Sequence, residues 1–440
     1  MNTVVMRSGV TTAGASLPRT RGFVVAGLCW LALVTTAYLW GTALVRAHPA
    51  IKLHAPPLFG HFDPRLGLRI VPAVIVALIV VALGPLATRR LPWRGLLLVS
   101  ASSAAVWAVA LAYVNGIDAL TAPMERSTEY LRVVPQVSSV SDFVGGYVDR
   151  LRSFPLHVKG HPPGAVVLLT WLERIGLGGS AWAAGLVIAA GACSVPAALS
   201  ALRSISSVER ARRSAPFLVL APAALWIATS MDALFAGVSA GAVALVVVAL
   251  TRSGIRSDLP AAAGGLLGGG ALLLTYGAAP LAVIVAAVAL ARRRLRPVVI
   301  AAVAAGAVLA AAAVWGFWWP AGLEATADLY RSGVASNRPY SFFIVSNLAA
   351  FALAVGPAAA AGISRLFSDR ARLLVLGALA TVIAADLSGL SKGEVERIWL
   401  PFAPWVLLAA GGLPERSMRL WLVLQALIAL GIAVFVRTPW

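Results

Sequence analysis

Five carboxylates lie in one polar stretch of the chain, residues 115–164, which contains no apolar block long enough to cross a membrane. They are Asp118, Glu125, Glu129, Asp142 and Asp149. A carboxylate in such a loop can take a proton in catalysis, or it can merely cap a helix or pair with a nearby arginine such as Arg126 or Arg132. Polar loops held between membrane helices often carry function, so this stretch is the first candidate for a functional site.

The composition places this stretch in a membrane protein. Of the 440 residues, 60% are hydrophobic and 12% charged, which leaves too little polar surface to cover a soluble core. The formal charge of +19 comes from arginines clustered in short gaps between apolar segments, as the positive-inside rule predicts, so we expect no nucleic-acid partner. Cys29 and Cys193 both lie in apolar segments, which argues against a disulfide framework or a thiolate metal site.

About 13 apolar segments are long enough to be candidate membrane-spanning helices, which predicts an all-α polytopic integral membrane protein. They are residues 22–45, 70–88, 95–114, 180–202, 215–230, 232–250, 260–275, 277–291, 297–318, 341–363, 372–387, 398–413 and 418–436. Residues 1–21, with Arg7, Arg19 and Arg21, are expected to form a cytoplasmic tail, because the apolar run that follows is longer than a signal-peptide core. Residues 22–440 then form a single transmembrane domain.

The distribution of charge predicts the orientation of these helices. With the N-terminus inside, every later arginine cluster falls on the cytoplasmic side, provided that residues 165–175 form a short outer helix that does not cross the membrane. The outer face then holds a catalytic-type loop with interfacial helices, residues 116–178, and a second loop, residues 319–340. We therefore expect a multi-pass plasma-membrane protein with its functional site on the outer face.

The outer loop is predicted to contain two helices and a sharp turn. Residues 124–133 would form a helix that carries Glu129, and residues from 141 onward an amphipathic helix with its apolar face on the membrane. That face consists of Phe143, Val144, Tyr147, Val148 and Leu151. Two prolines in the run His-Pro-Pro-Gly at 161–164 preset the start of a further helix. A plain interfacial helix without chemistry would show the same pattern.

Two motifs, one in the polar stretch and one near residue 400, resemble those of GT-C glycosyltransferases that use polyprenyl-phosphate sugars. Protein O-mannosyltransferases and the aminoarabinose transferases of lipid A are such enzymes. The first is an acidic residue after a spanning helix, an interfacial helix, and then the His-Pro-Pro-Gly run. The acidic residue is Glu129, followed by Tyr130, in one alignment and Asp142, with Tyr147, in another. The second motif, residues 396–404, is similar to an Arg-Tyr-x-Leu-Pro-x-x-Pro run near the end of many such enzymes. The likeness covers the layout of residues 95–410, although the paired acid that the family often carries after the helix is missing, since Asp118 stands alone.

The resemblance implies a GT-C-like fold and a hexosyl- or pentosyltransferase, similar to the mannosyltransferases. It would move a sugar from a polyprenyl-phosphate carrier to a glycan, lipid or protein acceptor in the outer envelope. One carboxylate would take the acceptor proton; Glu129 is the first candidate, followed by Asp142 and Asp118. Cations or a divalent metal would steady the departing phosphate. The residues expected to bind substrate are Arg397, Lys392, Arg338, His161, Tyr130 and Glu396.

Structural roles account for some of these residues equally well. Arg397 could form a salt bridge with Glu394 or Glu396 instead of binding phosphate. Asp232 opens the sixth predicted span, where a carboxylate is either functional or a helix cap.

A metal site in the first outer loop is the weakest of the candidates. His48, His54 and His61 lie near Asp63 in the sequence, and imidazole and carboxylate are ordinary zinc ligands. Their irregular spacing in a proline-rich loop favours an ordinary surface loop, so no residue is assigned as a metal ligand.

Two other functions remain open. A transporter or flippase of lipid-linked sugars would be expected to place charges in broken helices at mid-membrane, often within inverted repeats. The sequence has no evident repeat, and its charges lie mainly at helix ends, which favours the enzyme. A non-catalytic GT-C-like protein of envelope assembly would show the same sequence features.

Overall fold

The computed structural model describes residues 19–228, 230–366 and 369–438. Arg7 and most of the predicted tail therefore lie outside the described residues. Within them the regular secondary structure is helical, apart from a two-residue antiparallel pairing of β1 (His61–Phe62) with β2 (Val436–Arg437) and one isolated bridge. The predicted all-α class is confirmed.

Eighteen α-helices follow one another along the described chain. The first six are α1 (Arg19–Ala47), α2 (Val71–Arg90), α3 (Trp93–Tyr113), α4 (Val140–Gly145), α5 (Leu156–Lys159) and α6 (Gly164–Arg174). The next six are α7 (Ser180–Ile205), α8 (Val208–Val219), α9 (Asp232–Ala249), α10 (Ile255–Leu274), α11 (Ala282–Arg292) and α12 (Arg296–Val314). The last six are α13 (Trp319–Ser332), α14 (Tyr340–Ile363), α15 (Arg372–Leu387), α16 (Val395–Ile398), α17 (Ala403–Leu407) and α18 (Met418–Phe435).

Nine of the described helices are long and apolar enough to cross a membrane: α1, α2, α3, α7, α9, α10, α12, α14 and α18. Each coincides with a predicted span, and together they make the chain a multi-pass membrane protein. The other four predicted spans correspond to shorter or interrupted elements. Residues 215–230, for example, contain the end of α8 at Val219 and a separate 3-10 helix, Pro222–Trp226. A count of thirteen crossings therefore stays a prediction.

Small residues let the long helices approach closely, as expected for helices that pack within a membrane. A Cβ atom on Gly237 of α9 would collide with the Ala190 carbonyl oxygen of α7. One on Gly269 of α10 would lie 2.6 Å from Cβ of Val308 on α12. Within the glycine run of α10, Gly269 therefore serves helix packing.

The helix α14 is kinked in its middle. Gly356 has a φ of 75°, and Pro357 follows it, so the regular backbone hydrogen bonds are interrupted there. The fully buried amide of Gln425 on α18 fills the gap. Its Oε1 accepts from the Ala358 N–H at 3.2 Å, and its Nε2 donates to the Val355 carbonyl at 3.0 Å.

The predicted helix over residues 124–133 is wrong. Two 3-10 helices, Ala122–Glu125 and Tyr130–Arg132, stand in its place, and Arg126 and Glu129 are extended between them. The segment that separates them includes Ser127 and Thr128, whose hydroxyls compete with helical hydrogen bonding.

The long amphipathic helix from residue 141 is also wrong, because α4 ends at Gly145. Gly145 and Gly146 weaken helix continuation, and Gly145 packs against the turn at Trp315, whose carbonyl oxygen would lie 3.1 Å from an added Cβ. The apolar side chains face the protein interior: Tyr147 is fully buried, Leu151 is 2% exposed and both belong to one core cluster. This loop is folded protein, and it shares a core with the long helices α7, α9, α10 and α12.

Candidate functional site

A buried arginine, Arg397, lies at the centre of the charged residues at the end of the helices where the polar stretch 115–164 is found. The short helix α16 carries it, and only 4% of its surface is exposed. Its Nη1 donates to Oδ2 of Asp232 at 2.5 Å, and its Nη2 donates to Oε2 of Glu394 at 2.7 Å. Burial by itself would lower the pKa of Arg397, but the two carboxylates outweigh it and hold the pKa above its usual value.

The backbone around Arg397 is arranged for these contacts. Glu394 has a φ of 64°, in the left-handed region that costs a non-glycine residue about 1–2 kcal/mol. In this conformation Glu394 is the residue immediately before α16, and its carboxylate lies against the guanidinium. Asp232 begins α9, is 3% exposed, and accepts a further hydrogen bond from Ser230 Oγ at 2.5 Å.

His157 connects Arg397 to the polar loop. Its Nε2 lies 3.0 Å from Nη2 of Arg397, and its Nδ1 lies 2.5 Å from Oε1 of Glu129. A guanidinium can only donate hydrogen bonds, so Nε2 must be the acceptor and the proton of the neutral ring must be on Nδ1. His157 therefore donates to Glu129, and the contacts form a continuous chain from Glu129 through His157 and Arg397 to Asp232.

A second set of contacts holds the histidine pair next to this chain. His157 and His161 are four residues apart, and Nδ1 of His161 lies 2.8 Å from the His157 carbonyl and 2.9 Å from Tyr130 Oη. Because a carbonyl only accepts, the proton of the His161 ring is on Nδ1. Burial lowers the pKa of His161, against the opposing pull of the Asp232 carboxylate. Tyr147 Oη lies 2.7 Å from the His161 carbonyl, to which it donates, so it fixes the turn before the two prolines.

Of the three candidate bases, the structure brings only Glu129 into contact with this network. Asp142 is exposed on the first turn of α4, where its backbone N–H donates to the capping Ser139 Oγ at 3.3 Å. Asp118 is exposed in the 3-10 helix Ile117–Leu120. Glu129 makes no capping hydrogen bond with its side chain and pairs with His157, not with Arg126 or Arg132.

Arg338, Lys392 and Glu396 form a neighbouring group next to the loop between α1 and α2. Nη1 of Arg338 donates to the Lys392 carbonyl at 2.5 Å, and its guanidinium lies 5.4 Å from the ring centroid of Phe59. Lys392 Nζ donates to the Ala335 carbonyl at 3.2 Å. These two cations therefore tie loops together.

The salt bridge considered between Arg397 and Glu394 is present. The one considered between Arg397 and Glu396 is wrong, because Glu396 has another partner. Its Oε1 accepts from the Phe59 N–H at 2.9 Å, and its Oε2 has no hydrogen-bond partner among the described residues. With 1% of the residue exposed, burial raises the pKa of Glu396 to about 7.

The described residues of the loop between α1 and α2, where a metal site was considered, form no cluster of metal ligands. Across the described residues, no group of three or more histidine, cysteine, aspartate or glutamate side chains could hold a metal ion. The rings of His54 and His61 stack 4.6 Å apart, and Asp63 lies 3.7 Å from Arg437 of β2. The β1–β2 pairing of His61 with Arg437 and the contact of Asp63 with Arg437 join this loop to the segment that follows α18.

Sequence reasoning missed His157 and did not assign Asp232 to the site. The available signal was the four-residue spacing of His157 and His161, which in a helix would place both rings on one side, although α5 ends at Lys159. Nothing local connects either residue with Arg397, which is 240 residues from His157 and 165 from Asp232.

The charge balance of the network limits what it can bind. Three carboxylates, Glu129, Asp232 and Glu394, surround one guanidinium, and both histidines are neutral in this arrangement. The site can therefore accept a proton or a hydroxyl group more readily than a further anion. Comparison with protein-family models, curated proteins and solved structures finds no match for the chain.

Proposed function

We propose that the chain is a membrane glycosyltransferase in which Glu129 is the general base. The observation that supports it is the contact chain Glu129–His157–Arg397. It joins the three segments that the GT-C resemblance singles out separately: the Glu-Tyr pair at 129–130, the region of the His-Pro-Pro-Gly turn, and the motif at 396–404. Segments far apart in the sequence thus meet at one partly buried carboxylate.

In the proposed step, the hydroxyl oxygen of an acceptor attacks the anomeric carbon of the donor sugar. The bond from that carbon to the phosphate oxygen breaks, and its electron pair leaves with the polyprenyl phosphate. The hydroxyl proton passes to Glu129 as attack begins. Because Oε1 of Glu129 already accepts from His157, the incoming proton goes to Oε2.

His157 acts as a positioning residue in this proposal. Its Nδ1–H holds the Glu129 carboxylate, and Arg397 holds its Nε2, so the ring cannot take a proton while both contacts persist. A donor phosphate could reach Arg397 by displacing Glu394, whose side chain is 17% exposed and is the more accessible of its two carboxylate partners. Such an exchange would replace one negative group by another and leave the local charge balance nearly unchanged.

The rest of the proposal follows the same resemblance. The chain would have a GT-C-like fold with thirteen crossings, a cytoplasmic N-terminus and the site on the outer face of the plasma membrane. The donor would be a hexose or pentose on a polyprenyl phosphate, and the acceptor an envelope glycan, lipid or protein. Lys392 and Arg338 would assist at the phosphate, and Tyr130, His161 and Glu396 would shape the substrate site. A divalent metal, if used, would be brought with the substrate, since no ligand set is assigned.

Glu129→Gln tests the assignment. The full chain is reconstituted in proteoliposomes with polyprenyl-phosphate hexoses and pentoses and an envelope extract as acceptor, and free polyprenyl phosphate is measured by mass spectrometry. Loss of a general base should lower the rate by about 10²–10⁴-fold, while the folded fraction stays near that of the wild type. Asp149→Asn, an exposed charge loss in the same segment, should leave the rate unchanged. Wild-type turnover in Glu129→Gln would exclude this residue as the base.

A transporter of lipid-linked sugars is the second candidate. One observation favours it: the buried Asp232–Arg397 pair connects the start of a long helix with an interrupted segment, α16 and α17, as in transporters with broken helices. The same proteoliposomes distinguish the two functions. Movement of the lipid-linked sugar between leaflets without release of polyprenyl phosphate would favour transport, and release that depends on an acceptor would favour transfer.

A further inference from the structure

A cavity of about 400 Å³ lies at the opposite end of the helices from the Arg397 network. Trp93 at the start of α3 lines it, together with Ser200, Arg203 and Ser204 near the end of α7 and Arg252 after α9. Val248, near the end of α9, also lines the cavity, and 16 residues separate it from Asp232, or about 24 Å along the helix. That distance is close to the thickness of the hydrocarbon layer, so the cavity lies near the second membrane boundary.

The chemistry of the cavity suits a phosphate group. Two guanidinium groups line it, and none of the described residues that line it is a carboxylate. The Arg203 guanidinium lies 4.6 Å from the ring centroid of Trp93, so stacking on the indole holds it in place. Arg294 donates to the Arg252 carbonyl and brings a third positive charge to the rim. Guanidinium groups form paired hydrogen bonds with phosphate oxygens, which makes an anionic phosphate ester the expected ligand class.

The surface of α7 indicates where the rest of such a ligand would lie. Ser204, Ser200, Ala197 and Cys193 recur at helical spacing along one side of α7, and all four are at least partly exposed. These short side chains leave a shallow path from the cavity toward the middle of the membrane. An acyl chain attached to a phosphate in the cavity would lie along that path, whereas a soluble phosphate ester has no chain to contact it.

We propose that this cavity binds the phosphate headgroup of an anionic membrane lipid, with Arg203 and Arg252 on the phosphate and an acyl chain along α7. Basic recesses between membrane helices on the arginine-rich side bind such headgroups in general. The site is separate from the proposed transferase site, and its occupancy does not depend on that activity.

The test uses the purified full chain and native mass spectrometry with phosphatidylglycerol and, as the uncharged comparison, phosphatidylcholine. The double variant Arg203→Gln/Arg252→Gln should bind phosphatidylglycerol about 30-fold more weakly, since each basic side chain contributes about 1 kcal/mol and about 1.4 kcal/mol is tenfold. Arg416→Gln/Arg419→Gln is the matched control. Both of its arginines are exposed, and Arg416 adjoins Glu415, which pairs with Arg89 at the same end of the helices.

The expected result is a preference of the wild type for phosphatidylglycerol that the first double variant loses and the control keeps. An equal loss in both variants would mean diffuse attraction to surface charge and would overturn the proposal. Equal binding of the two lipids by the wild type would overturn it without any variant. Glycerol 3-phosphate and inorganic phosphate are added as competitors. Displacement of the lipid by either at equal concentration would assign the cavity to a soluble phosphate compound and overturn the lipid assignment.

Discussion

The buried ion pair between Arg397 and Asp232 should be among the most sensitive points of the structure. The two side chains are 5% and 4% exposed, and their charged atoms are 2.5 Å apart. Removal of one partner therefore leaves the other charge buried, with neither its partner nor water to balance it. Breaking such a pair costs about 3–5 kcal/mol of unfolding free energy. The loss of unfolding free energy in Arg397→Gln should lie at the upper end of this range, because both Asp232 and Glu394 lose their positively charged partner. Asp232→Asn should lie at the lower end, because Arg397 keeps Glu394.

The double variant Asp232→Asn/Arg397→Gln measures the interaction energy between the two side chains, apart from the effect of each single change. Removing both charges gives the network the same net charge as in the wild type, so the double change should cost less than the sum of the single changes by about 1–3 kcal/mol. Unfolding free energies are measured by denaturant titration of the detergent-solubilised protein, followed by tryptophan fluorescence. The exposed pair Asp328–Arg331, whose side chains are both 66% exposed, is the control. Its Asn and Gln variants should each change the unfolding free energy by less than about 0.5 kcal/mol.

Two results would refute this reasoning. Strict additivity of the two single changes would mean that Asp232 and Arg397 do not stabilise each other. Single changes as small as those of the exposed control pair would mean that the charges are hydrated in solution.

Two further predictions concern buried polar groups. Because the pKa of Glu396 in the folded chain is raised to about 7, above that of the unfolded chain, its contribution to stability is greatest at low pH and is lost as the pH rises through about 7. Melting temperatures at pH 5 and pH 8 should therefore differ more for the wild type than for Glu396→Gln, and an identical difference would contradict the assignment. Gln425→Leu leaves the Val355 carbonyl and the Ala358 N–H without partners at the kink of α14, which should cost about 1–3 kcal/mol for each group. Unfolding titrations that show no loss would mean that α14 straightens or that water replaces the amide.

The sequence alone determined the class of protein and most of its long helices. Hydropathy is a local property that accumulates over about 20 residues, so nine of the predicted spans coincide with helices such as α9 and α14. The prolines at 162 and 163 likewise marked the start of α6, because proline acts on the backbone next to it.

The tertiary structure alone decided which charged residues meet. Glu129, Asp142 and Asp118 are all carboxylates in the same polar stretch of the sequence. Only the fold brings one of them, Glu129, into contact with His157. Two partners of Arg397, Asp232 and His157, lie 165 and 240 residues away, beyond the reach of any local pattern, whereas the contact with Glu394 spans three residues and was one of the sequence-based alternatives. The apolar residues around Tyr147 also show that a local pattern does not determine tertiary contacts. A membrane and a protein core both accept the same apolar face, so the spacing of side chains cannot tell which of the two will cover it.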